Sequence, residues 1–293
     1  MTESNIPTKI AAIEGGATQR PGQRRKSLGP SGAPRRHFRT IYISDVHLGT
    51  RGCNDRLLID FLDHCDSEYL YLVGDMIDGW RMKKRFYWPE RHNAILRRIM
   101  KRAKRGTKVI YVPGNHDEMF RQFSGMDFGG VKIARAATHT TADGRELLVL
   151  HGDEFDAVVM GKRWLAFAGD AAYTFLLRLN VVINAVRRRL GLPYWSLSAH
   201  AKHKVKNAVA FISHFEETVA TAARKRKVDG VVCGHIHTAE VRDFDGIEYY
   251  NDGDWVESCT ALVEHHDGAM EVLHWPTEVA RREEMLGDRQ DAA

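Results

Sequence analysis

Short runs of Val, Ile, Leu and Tyr alternate along the chain with longer stretches whose apolar residues recur every three or four positions. The segments FRTIYIS (38–44), EYLYLVG (68–74) and KVIYVPG (108–114) have the continuous apolar character of strands buried on both faces. Between them, DRLLIDFLDHC (55–65) and PERHNAILRRIMKRAKRG (89–106) read as amphipathic helices, the second with Pro89 in its first turn and Gly106 just past its end. ATHTTADGRELLVLHG (137–152) predicts a hairpin turning at Asp143-Gly144. VDGVVCGHIH (228–237) reads as another strand, and EVRDFDGIEYYND (240–252) carries a second Asp-Gly turn. WVESCTALVEH (255–265) and AMEVLHW (269–275) complete a strand-rich C-terminal half. Strands in both halves with helices outside them imply a layered α/β sandwich.

Residues 154–229 break this rhythm. Trp164, Ala168, Ala171, Phe175, Leu179, Val182 and Val186 follow helical spacing, and Arg187, Arg188 and Arg189 close that helix before Gly191 and Pro193. Ser198 can cap a second helix carrying Val205, Val209, Ile212, Phe215 and Val219. The pair reads as a helical hairpin inserted between two core strands. Its apolar stripe serves either packing or a lid with an apolar inner face.

Composition narrows the picture. The chain has 293 residues, 43% of them apolar, which suits one large domain with an insertion. No run approaches the roughly 18 apolar residues of a spanning helix. No secretory apolar segment follows Arg24, Arg25 and Lys26, and Cys53, Cys65, Cys233 and Cys259 form no Cys-x-x-Cys pair, so a reduced, cytoplasmic protein is expected. Residues 1–37 hold seven Lys/Arg and two acids, which accounts for the whole formal net charge of +5. With its Gly, Pro and Ser this segment reads as a disordered basic tail, either a solvated appendage or a tether to anionic lipid or nucleic acid. No basic patch interleaved with aromatics supports the nucleic-acid choice. Residues 38–280 are expected to form the catalytic domain, insert included, and residues 281–293 a charged C-terminal tail.

The chemistry lies at the strand ends, where open α/β sheets place ligands. Asp45 and His47 follow the first strand at i, i+2 spacing, which aims both the same way. Asp75 follows the second strand, Asn115 and His116 the third, His151 the hairpin, and His235 and His237 the next strand. One turn-forming His has a bland explanation; five strand-tip clusters of Asp, His and Asn do not. Carboxylate, imidazole and amide oxygen suit Mn²⁺, Fe²⁺ or Zn²⁺. Asp45, His47, Asp75, Asn115, His151, His235 and His237 are too many for one ion and enough for two sharing a carboxylate. Such a pair clamps the attacking and leaving oxygens of a phosphoryl displacement. Asp78, Asp117, Asp153 and Asp156 adjoin these motifs, either orienting the imidazoles or forming surface ion pairs. The other histidines weighed, among them His64, His92, His214 and His274, read as packing or surface.

D-x-H, G-D, G-N-H-D, H-G-D and G-H-x-H, in this order from residue 45 to residue 237, resemble the calcineurin-like metallophosphoesterases. Within that superfamily the contexts SDVHLG, GDMIDGW and HGDEFD, with the helical insert, look most like the UDP-2,3-diacylglucosamine diphosphatases of lipid A synthesis. The resemblance implies a four-layer αββα sandwich with a helical cap and two divalent ions, manganese being the first choice. It implies one ion on Asp45, His47, Asp75 and His237, and another on Asp75, Asn115, His151 and His235, with Asp75 bridging. It further implies hydroxide attack on UDP-2,3-diacylglucosamine, releasing UMP and 2,3-diacylglucosamine 1-phosphate at the inner face of a bacterial membrane. The chain departs from the family in carrying His116 where the pattern has Arg. An Arg steadies a departing phosphate, whereas a His can protonate a departing alkoxide, so a soluble phosphodiesterase or nucleotidase is the rival. A non-catalytic binding scaffold of this fold is a third reading, which degenerate ligand positions would mark; here every position is filled.

Overall fold

The computed structural model describes residues 35–156 and 206–291. It divides into two compact units, Met1–Asp153 with Ala223–Ala293, and Glu154–Ala222. The helical stripe expected from Trp164 to Val186, with Ser198 and Val205, lies outside the described residues, as does the basic segment before Arg35. From the second unit the structure describes the greater part of a helix, α4 (Lys206–Lys225).

In the first unit, β1 (Arg36–Ile43), β2 (Cys65–Val73) and β3 (Lys108–Val112) run parallel at the centre of a seven-stranded sheet. β4 (Asp127–Phe128) and β5 (Val131–Ile133) extend it on one side, β11 (Thr260–Glu264) and β12 (Met270–His274) on the other. A five-stranded sheet is formed by β6 (Ala137–Thr140), β7 (Glu146–Val149), β8 (Gly230–Cys233), β9 (Glu240–Phe244) and β10 (Ile247–Asn251), in the order β6-β7-β8-β10-β9. Alternation along each strand divides the core in two. Ile41, Ile43, Leu70, Leu72 and Val109 face α1 (Asp55–His64) and α3 (Glu90–Lys104), where they meet Leu58, Phe61, Ile95 and Ile99. Tyr42, Tyr71, Val73, Ile110 and Val112 point the other way, against Leu147, Val149 and Val232 of the second sheet. The result is the mixed α/β architecture expected, two sheets face to face with helices outside.

Both Asp-Gly turns form. Asp245 and Gly246 take φ of 49° and 82°, the two-residue turn whose twist matches a right-handed hairpin. Several boundaries differ from expectation. β1 begins at Arg36 and pairs it with Cys65, so the basic tail ends before residue 36 rather than at 37. Residues 281–293 are not a free tail through most of their length: α5 (Trp275–Asp291) runs through them, anchored by Trp275 Nε1 donating to Asp60 Oδ2 at 2.9 Å. The strand expected over 255–265 is confined to Thr260–Glu264, because Asp254 Oδ1 takes the amides of Val256 and Glu257 and turns the chain. A short helix, α2 (Gly79–Lys84), and the β4–β5 pair were not anticipated. None of the four cysteines is paired, and burial pushes the Cys65 thiol up to about 12.

At the end of β1 away from the strand tips, a polar node ties the sheets together. Glu264 of β11 is fully buried and accepts from Arg39 Nη1 at 2.7 and 2.9 Å, Thr40 Oγ1 at 2.5 Å and the Ala142 amide at 2.7 Å. His139 of β6 reaches it through Nε2 at 2.8 Å, while its Nδ1 meets Tyr71 Oη at 3.2 Å. Burial works against the charge on Glu264, and His139 and Thr40 more than offset it, holding the carboxyl below the usual glutamate range. A depressed carboxyl contributes stability while ionised and loses it as pH falls through its folded value. Glu264→Gln is therefore expected to cost about 3–5 kcal/mol at neutral pH, since Arg39 loses its buried partner. In urea titrations from neutral pH to pH 3 the variant should also lose stability less steeply than the wild type; parallel curves would reject the node's role.

Candidate metal centre

The parallel strands β1, β2, β3, β7 and β8 all end on one edge of the sandwich, and the polar tips meet there. Backbone bonds continue the ladder past the strand ends: the amides of Asp45, His47 and Leu48 donate to the carbonyls of Gly74, Asp75 and Met76 at 3.1, 2.9 and 2.9 Å. The turns are sharp. Among the described residues eight non-glycine positions have φ between 49° and 70°, and Asp45, His47, Asp75, His235 and His237 are five of them. Left-handed backbone of this kind costs of order 1–3 kcal/mol per residue and persists where the surroundings over-determine it. Here it swings side chains that would alternate along a strand toward one centre.

Asp75 is the hub. Its Oδ2 lies 3.5 Å from His151 Nε2, 3.9 Å from His47 Nε2 and 3.9 Å from His116 Nε2. Asp45 Oδ1 lies 3.1 Å from His237 Nε2 and 3.8 Å from His47 Nε2. Three overlapping groups, Asp45-His47-His237, His47-Asp75-His116 and Asp45-Asp75-His151, each bring their ligand atoms within 4.8 Å of one another. His235 joins by its backbone amide, which donates to Asp45 Oδ2 at 2.9 Å, and its ring stands 5.2 Å from that of His151. The other faces of these groups are fastened. His151 Nδ1 is 2.8 Å from the Val73 carbonyl, to which it donates, and this fixes the ring with Nε2 turned toward Asp75. Gly114 is closely fitted: a Cβ there would fall 2.7 Å from His151 Nε2 and overlap Asp75 Oδ1.

Four buried atoms with strong polar character, Asp45 Oδ1, His47 Nε2, Asn115 Oδ1 and His151 Nε2, have no hydrogen-bond partner among the described residues. Buried polar atoms left unbonded are costly and mark a missing partner. Separations of 3.5–3.9 Å are too long for hydrogen bonds. They suit neighbouring ligands around an ion bound at about 2.0–2.2 Å. The electrostatics agree. Burial alone would lower the His237 imidazole, but the Asp45 carboxylate beside it raises it to about 9. Burial likewise opposes protonation of His151, and Asp75 overrides it to hold that imidazole well above its usual value. A cluster that draws protons onto its imidazoles is short of positive charge, and divalent cations would supply it.

The acids beside the motifs take three different roles. Asp78 lies 3.4 Å from His47 Nδ1 and 3.1 Å from His116 Nδ1, so it orients two imidazoles, and it caps α2 by accepting the Arg81 amide at 2.7 Å. Asp117 instead holds backbone, accepting the amides of Met76 and Gly114 at 2.8 and 2.6 Å. Asp153 pairs with Arg121 at 2.6 Å. Four contributors were not evident from the sequence. Ser44 Oγ bridges Asp45 Oδ2 at 2.5 Å and Asp252 Oδ1 at 2.6 Å, and burial pushes the Asp252 carboxyl up toward its neutral form. Asn251 donates to the Gly234 carbonyl at 2.8 Å and steadies the G-H-x-H turn. Trp80 lies against His116, ring centres 4.3 Å apart. The run Asn251-Asp252-Gly253-Asp254 after β10 was itself a polar strand tip and carried the signal for Asn251 and Asp252. His92, read as packing, is 1% exposed and accepts the Gly49 amide through Nδ1 at 3.1 Å.

A family model described as calcineurin-like phosphoesterase matches residues 38–239. No curated protein matches the chain. Among solved structures, the phosphoesterase Yfce from E. coli is 13% identical with a TM-score of 0.38, covering 80% of this chain and 98% of its own. The phosphopantetheinyl hydrolase PptH from Mycobacterium tuberculosis is 16% identical with a TM-score of 0.37, covering 75% and 90%. A Vps29 single mutant from Entamoeba histolytica is 13% identical with a TM-score of 0.38, covering 80% and 96%.

Because Asp75 stands between both sets of unbonded atoms, Asp75→Ala is expected to reduce bound metal from about two ions per chain to less than one after equilibration with Mn²⁺ and desalting. Metal analysis by mass spectrometry measures this without reference to turnover, and full occupancy in the variant would remove Asp75 as hub.

Proposed function

Because the chain belongs to the calcineurin-like phosphoesterase family, we propose that it hydrolyses a phosphoester or phosphoanhydride at a centre of two divalent ions. The carrying observation is the set of buried, unbonded ligand atoms around Asp45 and Asp75. Asp45, His47, Asp75 and His237 would hold one ion, and Asp75, Asn115, His151 and His235 the other. When bound, such ions supply Lewis-acid charge for the phosphoryl oxygens and lower the pKa of coordinated water toward about 7. The chain's own groups do the rest. Asp78 receives the Nδ1 face of both His47 and His116, which turns their Nε2 atoms to the centre. His116 can there hold a proton for the departing oxygen, and Asp78, kept ionised by these two imidazoles despite its burial, supports that charge.

UDP-2,3-diacylglucosamine, cut to UMP and 2,3-diacylglucosamine 1-phosphate, is the substrate the motif contexts favour. The insert would then receive the acyl chains, and the basic tail would hold the enzyme to the inner face of a bacterial membrane. His116 favours a second reading, a diester or nucleotide substrate whose alkoxide needs a proton. His116→Asn is expected to cut kcat by roughly 10²–10⁴ on an alkyl phosphodiester, far less on a nitrophenyl ester, with metal content unchanged. Equal losses on both would reject proton donation, and turnover of purified UDP-2,3-diacylglucosamine beside simple diesters decides between the two substrates.

The tail has its own test. Removing residues 1–34 should leave turnover of a soluble diester intact and weaken binding to anionic liposomes, each basic residue near the surface contributing about 1 kcal/mol at most. Unchanged binding across a salt series would discard the tether.

A further inference from the structure

Beside the metal centre the segment 80–88, WRMKKRFYW, combines features that the chemistry above does not use. Phe86 is 73% exposed, the highest value among the large apolar side chains described. It follows Lys83, Lys84 and Arg85, all exposed and without a carboxylate partner among the described residues. Arg51, also exposed, lies over the Tyr87 ring at 4.8 Å and adds a fourth cation. At the other end of α2, Met119 is 41% exposed, its methyl so close to Gly79 that a Cβ there would fall 2.5 Å away. Apolar tips thus flank a six-residue helix about 9 Å long, with unpaired cations beside it.

The segment is held in place. Asp78 caps α2, Gly79 donates to the His116 carbonyl at 3.0 Å, and Met82 packs so tightly on Gly49 that a Cβ there would come within 2.6 Å of its sulfur. Trp88 donates to Asn93 Oδ1 at 2.8 Å and stands edge-on to His92. An exposed Phe on a braced support is already ordered, so burying it needs little further loss of freedom.

We propose that residues 80–88, with Arg51 and Met119, form a knob that docks on an anionic lipid bilayer, Phe86 entering the interface while the cations meet lipid phosphates. Apolar burial plus attraction to anionic lipid is the basis of interfacial binding. Single-stranded nucleic acid would need free rings to stack on. Here Trp80 lies on His116, Tyr87 under Arg51 and Trp88 against His92, which leaves Phe86 alone. Because Asp78 joins α2 to His47 and His116, docking would set the rim of the centre at the lipid surface. The proposal is independent of which phosphoester is cut and of the tail.

The test uses the full-length, metal-loaded chain sedimented with vesicles of equimolar phosphatidylglycerol and phosphatidylcholine, or with phosphatidylcholine alone. Combined Lys83→Glu, Lys84→Glu and Arg85→Glu is expected to lower partitioning onto the anionic vesicles by at least roughly tenfold. Hydrolysis of bis(p-nitrophenyl) phosphate should stay at the wild-type rate, reporting an intact site. Phe86→Trp should keep binding, and its added fluorescence should be quenched by brominated phosphatidylcholine chains. Wild-type partitioning by the triple variant, or an unquenched Trp at position 86, would overturn the proposal. So would an unchanged vesicle affinity accompanied by loss of binding to a single-stranded oligonucleotide. If the triple variant does not fold, the quenching experiment alone decides.

Discussion

Two carboxylates buried at the junction of two sheets, Asp45 and Asp75, impose the constraint that orders the rest of this protein. Neither is more than 2% exposed, and an uncompensated charge so placed is prohibitively costly. The chain answers with imidazoles from four loops, with backbone amides of His116 and His235 on the outer carboxylate oxygens, and with Ser44 behind Asp45. The compensation remains partial. Atoms on the inner side stay unbonded, and that deficit is what suits the site to divalent ions and, through them, to an anionic phosphorus centre.

The strained backbone follows from the same requirement. Side chains on a flat sheet alternate in direction, so ligands from five strands converge only if the chain turns sharply at each tip. The left-handed conformations at Asp45, His47, Asp75, His235 and His237 do this after β1, β2 and β8, and backbone bonds lace the β1 loop to the β2 loop. Rigidity behind the tips is supplied by the interlocked Tyr42 and Tyr71 rings, stacked 5.0 Å apart, and at the far end of the sandwich by the Glu264–His139 node.

A single acid, Asp78, sets the orientation of two imidazoles at the candidate centre. Asp78 receives His47 and His116 together and caps α2, so one carboxylate ties two imidazoles to the helix that carries Trp80. At the rim of the candidate centre, α2 is the element that Asp78 fixes.

The order of the main strands and helices, both Asp-Gly turns and the polar strand tips that gather at the candidate centre were legible from the sequence, because strand burial and polar strand tips leave local, periodic signatures. The helix beyond Trp275 was missed since its charged residues look like a tail until Trp275 and Arg282 find Asp60 across the fold. Asp78, Asp117 and Asp153 were indistinguishable as acids beside motifs; only the packing of loops gave one to imidazoles, one to amides and one to an arginine. Ser44 and Asp252 are 208 positions apart and acquire meaning by their 2.6 Å contact. The sequence by itself determined which chemical groups the protein possesses and on which strand ends they sit, because periodicity and residue type are local properties. Tertiary structure alone decided which oxygen faces which nitrogen, and therefore which groups are left wanting a cation, because that depends on how separate strand ends are brought together.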